Sequence, residues 1–257
     1  MKKSQLMMPF ILYIVITLVK IAVADVPYPL QNVGVDVTLG NVLNEPIILT
    51  DDYDKLINIA DLMHEKPTII NFVYLNCRML CHLTLDGLAE VAKESRYRVG
   101  NDYLIITVSI DPKESNTNLR TYKKKYMDSL DIPNGWLFLK GDSDTIQKIT
   151  RFFGYNYEYI ERTNDYAHPS VLFFYKNGIS NYIEGVTYEP THFDYSLMNL
   201  KDKKTLREKI ITYCYYFDPS KQTYSLLIFK ILRIISLITV LILFTIIGTF
   251  IYKERQR

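Results

Sequence analysis

Cysteine and histidine are scarce in this chain: three and four in 257 residues. Charge of one sign is also lacking, with 30 Lys and Arg against 28 Asp and Glu for a net charge of +2. That balance, with no basic cluster interleaved with aromatics, argues against a nucleic-acid partner. No internal repeat and no low-complexity tract is found, so repeat arrays are excluded. At this length the chain suits one globular domain of roughly 150–200 residues with appendages. The 21 tyrosines are spread along strand-like segments such as YNYEYI, which favours core and sheet packing over a binding platform.

Both ends carry long apolar runs. Residues 1–24 open with Met-Lys-Lys, continue through PFILYIVITLV and close with Ala22-Val23-Ala24. A basic start, an apolar middle and an A-x-A end predict a secretory signal peptide cleaved after Ala24. Lys20 interrupts the run, so an uncleaved anchor is the alternative. No cysteine lies near that point, which argues against a lipid anchor. Residues 234–252, IISLITVLILFTIIGTFIY, are uncharged and long enough to cross a bilayer as a helix. The tail 253–257, KERQR, favours the cytoplasmic side. The expected layout is a signal at 1–24, an exported domain at 25–215, a linker at 216–233, a transmembrane helix at 234–252 and a cytoplasmic tail at 253–257. Export makes disulfide chemistry available to the cysteines.

Between the ends, strand and helix patterns alternate. Residues 26–60 read as an irregular lead-in with a hairpin turning at Gly40-Asn41. PTIINFVYL (Pro67 to Leu75) and YLIITVSI (Tyr103 to Ile110) read as buried strands. Between them, Leu80, Leu83, Leu88, Val91 and Ala92 share one helical face. A polar helix is expected near 116–129, a third strand at GWLFLKG, and a helix capped by Asp142 or Ser143 that runs to about Phe153. A hairpin at Ser170 to Gly185 turns at Lys176-Asn177-Gly178. A last helix is expected over about 192–214, then a polar linker from Tyr215. This order predicts a three-layer α/β domain.

Two of the three cysteines, Cys77 and Cys81, stand four apart in NFVYLNCRMLCHL, where the first strand meets the first helix. A cysteine pair at that junction narrows the fold to a thioredoxin-like one. Asn76 is a candidate N-cap, which would put Cys77 in the first helical turn, where the helix dipole and the adjacent Arg78 favour thiolate. Residues i and i+4 of a helix have Cβ atoms roughly 5–6 Å apart, whereas a disulfide wants them near about 3.8 Å. The spacing therefore tolerates a disulfide if Cys77 lies partly outside the helix, and suits a shared metal ion slightly better. Of the histidines, His82 points away around the helix, and His64 and His192 read as surface residues. His168, in NDYAHPSV, precedes an apolar strand whose leading loop faces the cysteine helix in thioredoxin-like folds. Two thiolates and one imidazole suit copper, while zinc normally takes a fourth ligand.

These motifs together resemble the Sco/SenC proteins, membrane-tethered thioredoxin-like copper proteins of cytochrome c oxidase assembly. The resemblance rests on CRMLCHLTLDGL, VSIDP, GYNYEY, YAHP and CYYFDP, and spans about residues 28–225. It is nearest to bacterial members with a C-terminal membrane span. It implies copper, as Cu(I), Cu(II) or both, bound by Cys77, Cys81 and His168, with Cys77 and Cys81 also interconverting between dithiol and disulfide. Asp111 in SIDP matches an acidic position that tunes the site, with a strand-end cap as the competing reading. Arg78 replaces the family's usual proline and adds charge beside the thiolates. Cys214 matches a subgroup position to which no role transfers.

The resemblance implies a metallochaperone rather than an enzyme. Its partners would be the oxidase subunit carrying the copper A site, a copper donor, a thiol reductant in the same compartment, and the membrane. The expected location is a bacterial inner membrane, anchored at the C-terminus, with the domain facing the periplasm or cell exterior. The alternative is a membrane-tethered thiol–disulfide reductase that keeps oxidase cysteines reduced without metal. A peroxiredoxin-like peroxidase is disfavoured because FVYLN, before Cys77, holds neither proline nor threonine. A purely structural disulfide would leave His168 unexplained.

Overall fold

The computed structural model describes residues 32–77, 80–132, 134–201, 204–206, 208, 215–218, 223–226, 235–240, 242, 243 and 245. We number only the strands of the central sheet. These are β1 (Thr68–Val73), β2 (Leu104–Ser109), β3 (Trp136–Leu139), β4 (Val171–Tyr175) and β5 (Ile179–Glu184). The helices that cover the sheet are α1 (Ile59–Glu65), α2 (Leu80–Glu94), α3 (Asn116–Leu130), α4 (Ser143–Phe152) and α5 (Pro190–Asn199).

The sheet runs β5-β4-β1-β2-β3. β1, β2 and β3 are parallel, while β4 is antiparallel to β1 and to β5. Both faces are covered, which is why β1 and β2 are predominantly apolar and buried along their lengths. Alternate residues feed two cores: Ile70 and Phe72 face Ile59 and Met63 of α1 and Ile146 and Ile149 of α4. Ile69 and Val73 face Leu85 and Leu88 of α2, Leu119 of α3 and Phe193 of α5. This three-layer arrangement is the expected thioredoxin-like domain.

Asn71 is a polar exception in the central strand. Thr107 donates to its Oδ1 at 2.8 Å, and Trp136 Nε1 donates to Thr107 at 2.9 Å, a polar rung across three strands. In the lead-in the Gly40 turn forms, with φ +83°, but not the hairpin. The Gly40 amide and the Asn41 carbonyl bond Ile179 instead. The hairpin of this region is Ile48–Thr50 with Leu56–Asn58.

On α2, Leu83 is exposed while Leu85 is buried, so the apolar face is rotated from the expected one. The expected helix over about 192–214 is interrupted: α5 ends at Asn199, where Leu200 and Lys201 close the last turn onto Leu197 and Met198, and the described residues Leu206 and Glu208 beyond the break are again helical. The stretch read as a polar linker includes two strands, Tyr215–Asp218 and Thr223–Leu226, paired antiparallel. Its aromatic and β-branched composition suits a ribbon better than an open linker.

The signal reading at 1–24, Cys214 and the tail 253–257 lie outside the described residues. Within 234–252 the described residues are helical, and Ile235, Leu237, Ile238, Val240, Ile242 and Leu243 are exposed. Among the described residues no helix is long and apolar enough to cross a membrane.

Candidate metal and thiol site

The parallel strands end at one pole of the sheet, and the segments that carry Cys77, Asp111 and His168 lie at that end. After β1 the chain turns through Tyr74, Leu75 and Asn76, and the Cys77 amide donates to the Tyr74 carbonyl at 3.1 Å. Cys77 is buried against the core that holds Phe72, Tyr74 and Tyr155. It precedes α2 rather than lying in its first turn. The i, i+4 helical limit on the distance between Cys77 and Cys81 therefore does not apply. The Asn76 Oδ1 accepts from Asn118 Nδ2 at 2.9 Å; the amides of residues 78 and 79, which a cap at Asn76 would bind, lie outside the described residues. Cys81 lies in the first turn of α2, but its side chain is outside the described residues, as is Arg78.

Leu172 in β4 pairs with Asn71 in β1. This register brings the residues before β4, His168 and Pro169, level with the turn after β1. Tyr155 ties the two segments together. Its hydroxyl lies 3.0 Å from the Pro169 carbonyl, 3.4 Å from the Phe72 carbonyl and 2.9 Å from His168 Nδ1.

The His168 Nδ1 is 3.1 Å from the Pro169 carbonyl, which can only accept, and 2.9 Å from the Tyr155 hydroxyl, which can donate or accept; a proton on Nδ1 satisfies the carbonyl and puts the ring's lone pair on Nε2. Burial holds the His168 pKa below its ordinary value of 6.5, against smaller opposing effects of the Pro169 carbonyl and Asp165. The ring is therefore neutral, and Nδ1–H bonded to a carbonyl is the usual support of a histidine that ligates metal through Nε2.

Asp111 lies in the loop after β2. Its Oδ1 accepts the Lys113 amide at 2.9 Å, so the capping role is present. Its charge also reaches two tyrosines that meet edge to face with centroids 5.0 Å apart, Tyr74 and Tyr166. Burial first, then Asp111, raises the pKa of Tyr74 and pushes that of Tyr166 up to about 12. Tyrosines 155, 157, 159 and 166 form a connected ring cluster at this pole. The other histidines sit elsewhere: His64 bonds the Leu43 carbonyl, His82 stacks on Tyr122, and the His192 amide bonds the Glu189 side chain.

Among the described residues no group of three or more His, Cys, Asp and Glu could hold a metal ion; the side chain of Cys81 is not among them. Sequence reasoning missed Tyr155, whose role depends on the contact between segments, and Glu114, a buried carboxylate after the SIDP motif. The only signal for Tyr155 was its place inside GYNYEY.

Residues 36–188 match the SCO1/SenC family. Among solved structures, a candidate electron transfer protein from Aquifex aeolicus VF5 is 25% identical with a TM-score of 0.58, covering 66% of this chain and 98% of that one. A SCO1/SenC family lipoprotein from Bacillus anthracis str. Ames is 20% identical with a TM-score of 0.52, over 63% of this chain and 97% of that one. Arabidopsis thaliana ScoI, solved with copper bound, is 20% identical with a TM-score of 0.49, over 58% of this chain and 92% of that one. A comparison with curated proteins finds no match.

Proposed function

The chain belongs to the SCO1/SenC family, and on that premise we propose that it binds copper through Cys77, Cys81 and His168 and carries it to the copper A site of cytochrome c oxidase. The observation that carries this reading is the state of His168. It is an imidazole whose pKa burial lowers, with Nδ1 held between the Tyr155 hydroxyl at 2.9 Å and the Pro169 carbonyl at 3.1 Å, in the segment level with the turn that leads to the buried Cys77. An imidazole lone pair beside thiolates is a donor set that suits copper. Copper is cargo in this scheme, passed on when ligands of the receiving subunit replace those of the carrier.

The same cysteines serve a linked reaction. One thiolate attacks a sulfur of the client's disulfide and forms a mixed disulfide. The second thiolate then attacks the first cysteine's sulfur and releases the client as a dithiol. Two electrons pass from this chain to the client, and a thiol reductant in the compartment restores the pair. Client thiols must be reduced before they can bind copper, so the two activities fit one protein. Asp111 and Arg78 tune the pair through their charges. The apolar run 234–252 tethers the domain to a bacterial inner membrane, with the signal at 1–24 directing it to the periplasmic or outer side.

The test is anaerobic copper loading of the reduced full chain in detergent, counting copper for the unaltered protein, for His168→Ala and for Cys77→Ser with Cys81→Ser. One copper per chain, weakened by the first change and abolished by the second, is expected. No copper, with cysteines that still exchange with glutathione, would refute copper carriage and leave a tethered reductase.

A further inference from the structure

Helix α3 fastens the cysteine segment on both sides. Asn118 and Tyr122 are four residues apart and share one face of that helix. The Asn118 side-chain amide donates to Asn76 Oδ1 at 2.9 Å and to Glu114 Oε1 at 3.0 Å. Glu114 is only 4% exposed. Its carboxylate also accepts from Ser109 Oγ at 3.1 Å and from the Ser115 amide at 2.9 Å. With these donors fixing the carboxylate, the carboxylate in turn fixes Asn118. The Tyr122 hydroxyl donates to the Leu75 carbonyl at 3.1 Å and lies 3.3 Å from His82 Nε2. Its ring stacks on His82, with centroids 5.4 Å and planes 12° apart. Leu75 and Asn76 immediately precede Cys77, and His82 immediately follows Cys81. Both cysteines thus lie, in sequence, between points held by a single helix face.

We infer that Asn118 and Tyr122, with Glu114 orienting Asn118, are positioning residues for the cysteine pair. The inference rests on the thiol-pair reading above. Joining two sulfurs, to each other or to one ion, requires a short segment to give up most of its conformations. A segment already held at both ends has lost that freedom in advance, which raises the effective concentration of one thiol at the other. The two residues act through Leu75, Asn76 and His82. Loosening them therefore weakens the disulfide and copper binding together.

The experiment uses the full chain in detergent with Asn118→Ala and Tyr122→Phe. Glu189→Ala, which removes the side-chain acceptor of the His192 amide at the start of α5, is the control for lost stability. Each protein is equilibrated with glutathione redox buffers and the Cys77–Cys81 state is read by thiol tagging and peptide mass. Copper affinity is read by anaerobic competition with a chromophoric chelator. For Asn118→Ala the disulfide equilibrium constant is expected to fall about tenfold, a midpoint about 30 mV less negative, with a similar fall in copper affinity. Tyr122→Phe shifts both the same way by less, and Glu189→Ala lowers Tm while moving neither. Unshifted constants in the two α3 variants, or shifts matched by the control, overturn the inference. If the unaltered chain binds no copper but the disulfide still shifts, copper carriage fails and the positioning role stands. If its cysteines neither exchange nor bind copper, both fail.

Discussion

At the scale of single residues, the proposed copper site turns on His168, and the Tyr155 hydroxyl lies 2.9 Å from its ring. Tyr155→Phe deletes a buried hydroxyl that touches the imidazole and two carbonyls while keeping the ring in the Phe72 and Phe173 cluster. The expected loss is about 1 kcal/mol of stability and about tenfold in copper affinity, the lower end for outer groups that orient a ligand. Chemical denaturation and chelator competition check the two numbers. The pH response of the metal-free protein follows from the lowered His168 pKa. A buried ring that resists protonation contributes stability in full above pH 6.5, the ordinary imidazole value. That contribution is lost as pH falls from there towards the folded-state pKa, because the unfolded chain takes up the proton first. An NMR titration should place the His168 midpoint below 6.5; a midpoint at or above it would remove burial as the controlling effect.

At the scale of elements, α2 shows how tightly the layers are joined. Gly87 lies in mid-helix, where glycine weakens a helix by about 1 kcal/mol relative to alanine. A Cβ at that position would lie 2.0 Å from the Val186 carbonyl oxygen, so the close approach of the strand-to-helix loop requires glycine. Gly87→Ala should lower Tm, because overpacking against backbone costs up to about 3 kcal/mol, more than the propensity gained. A higher Tm would mean that the loop moves aside freely. The same scale explains two misread boundaries. The apolar count on α2 included Leu83 because a face is inferred from spacing alone; its rotation is set by which residues meet the sheet. α5 stops at Asn199 although helical pattern continues beyond it, because its final turn closes on itself.

At the scale of the whole molecule, the apolar C-terminal run is expected to make this a membrane protein with an exported domain. A chain ending at Arg233 should be released from membranes by alkaline wash, while the full chain stays bound; equal release of both would remove the tether. Much was legible beforehand. Continuous apolar strands, changes of period and turn residues gave the order of the five sheet strands along the chain, because those signals come from local sterics and burial. Cys77, Cys81 and His168 are singled out as the proposed site because reactive side chains are few and their motifs are ordered. What sequence could not supply was contact between distant segments. Tyr155 meeting His168, Gly87 beneath Val186, and Glu114 and Asn118 holding Asn76 all depend on strand register and helix rotation. Those are properties of the packed sheet and its layers, and no local pattern encodes them.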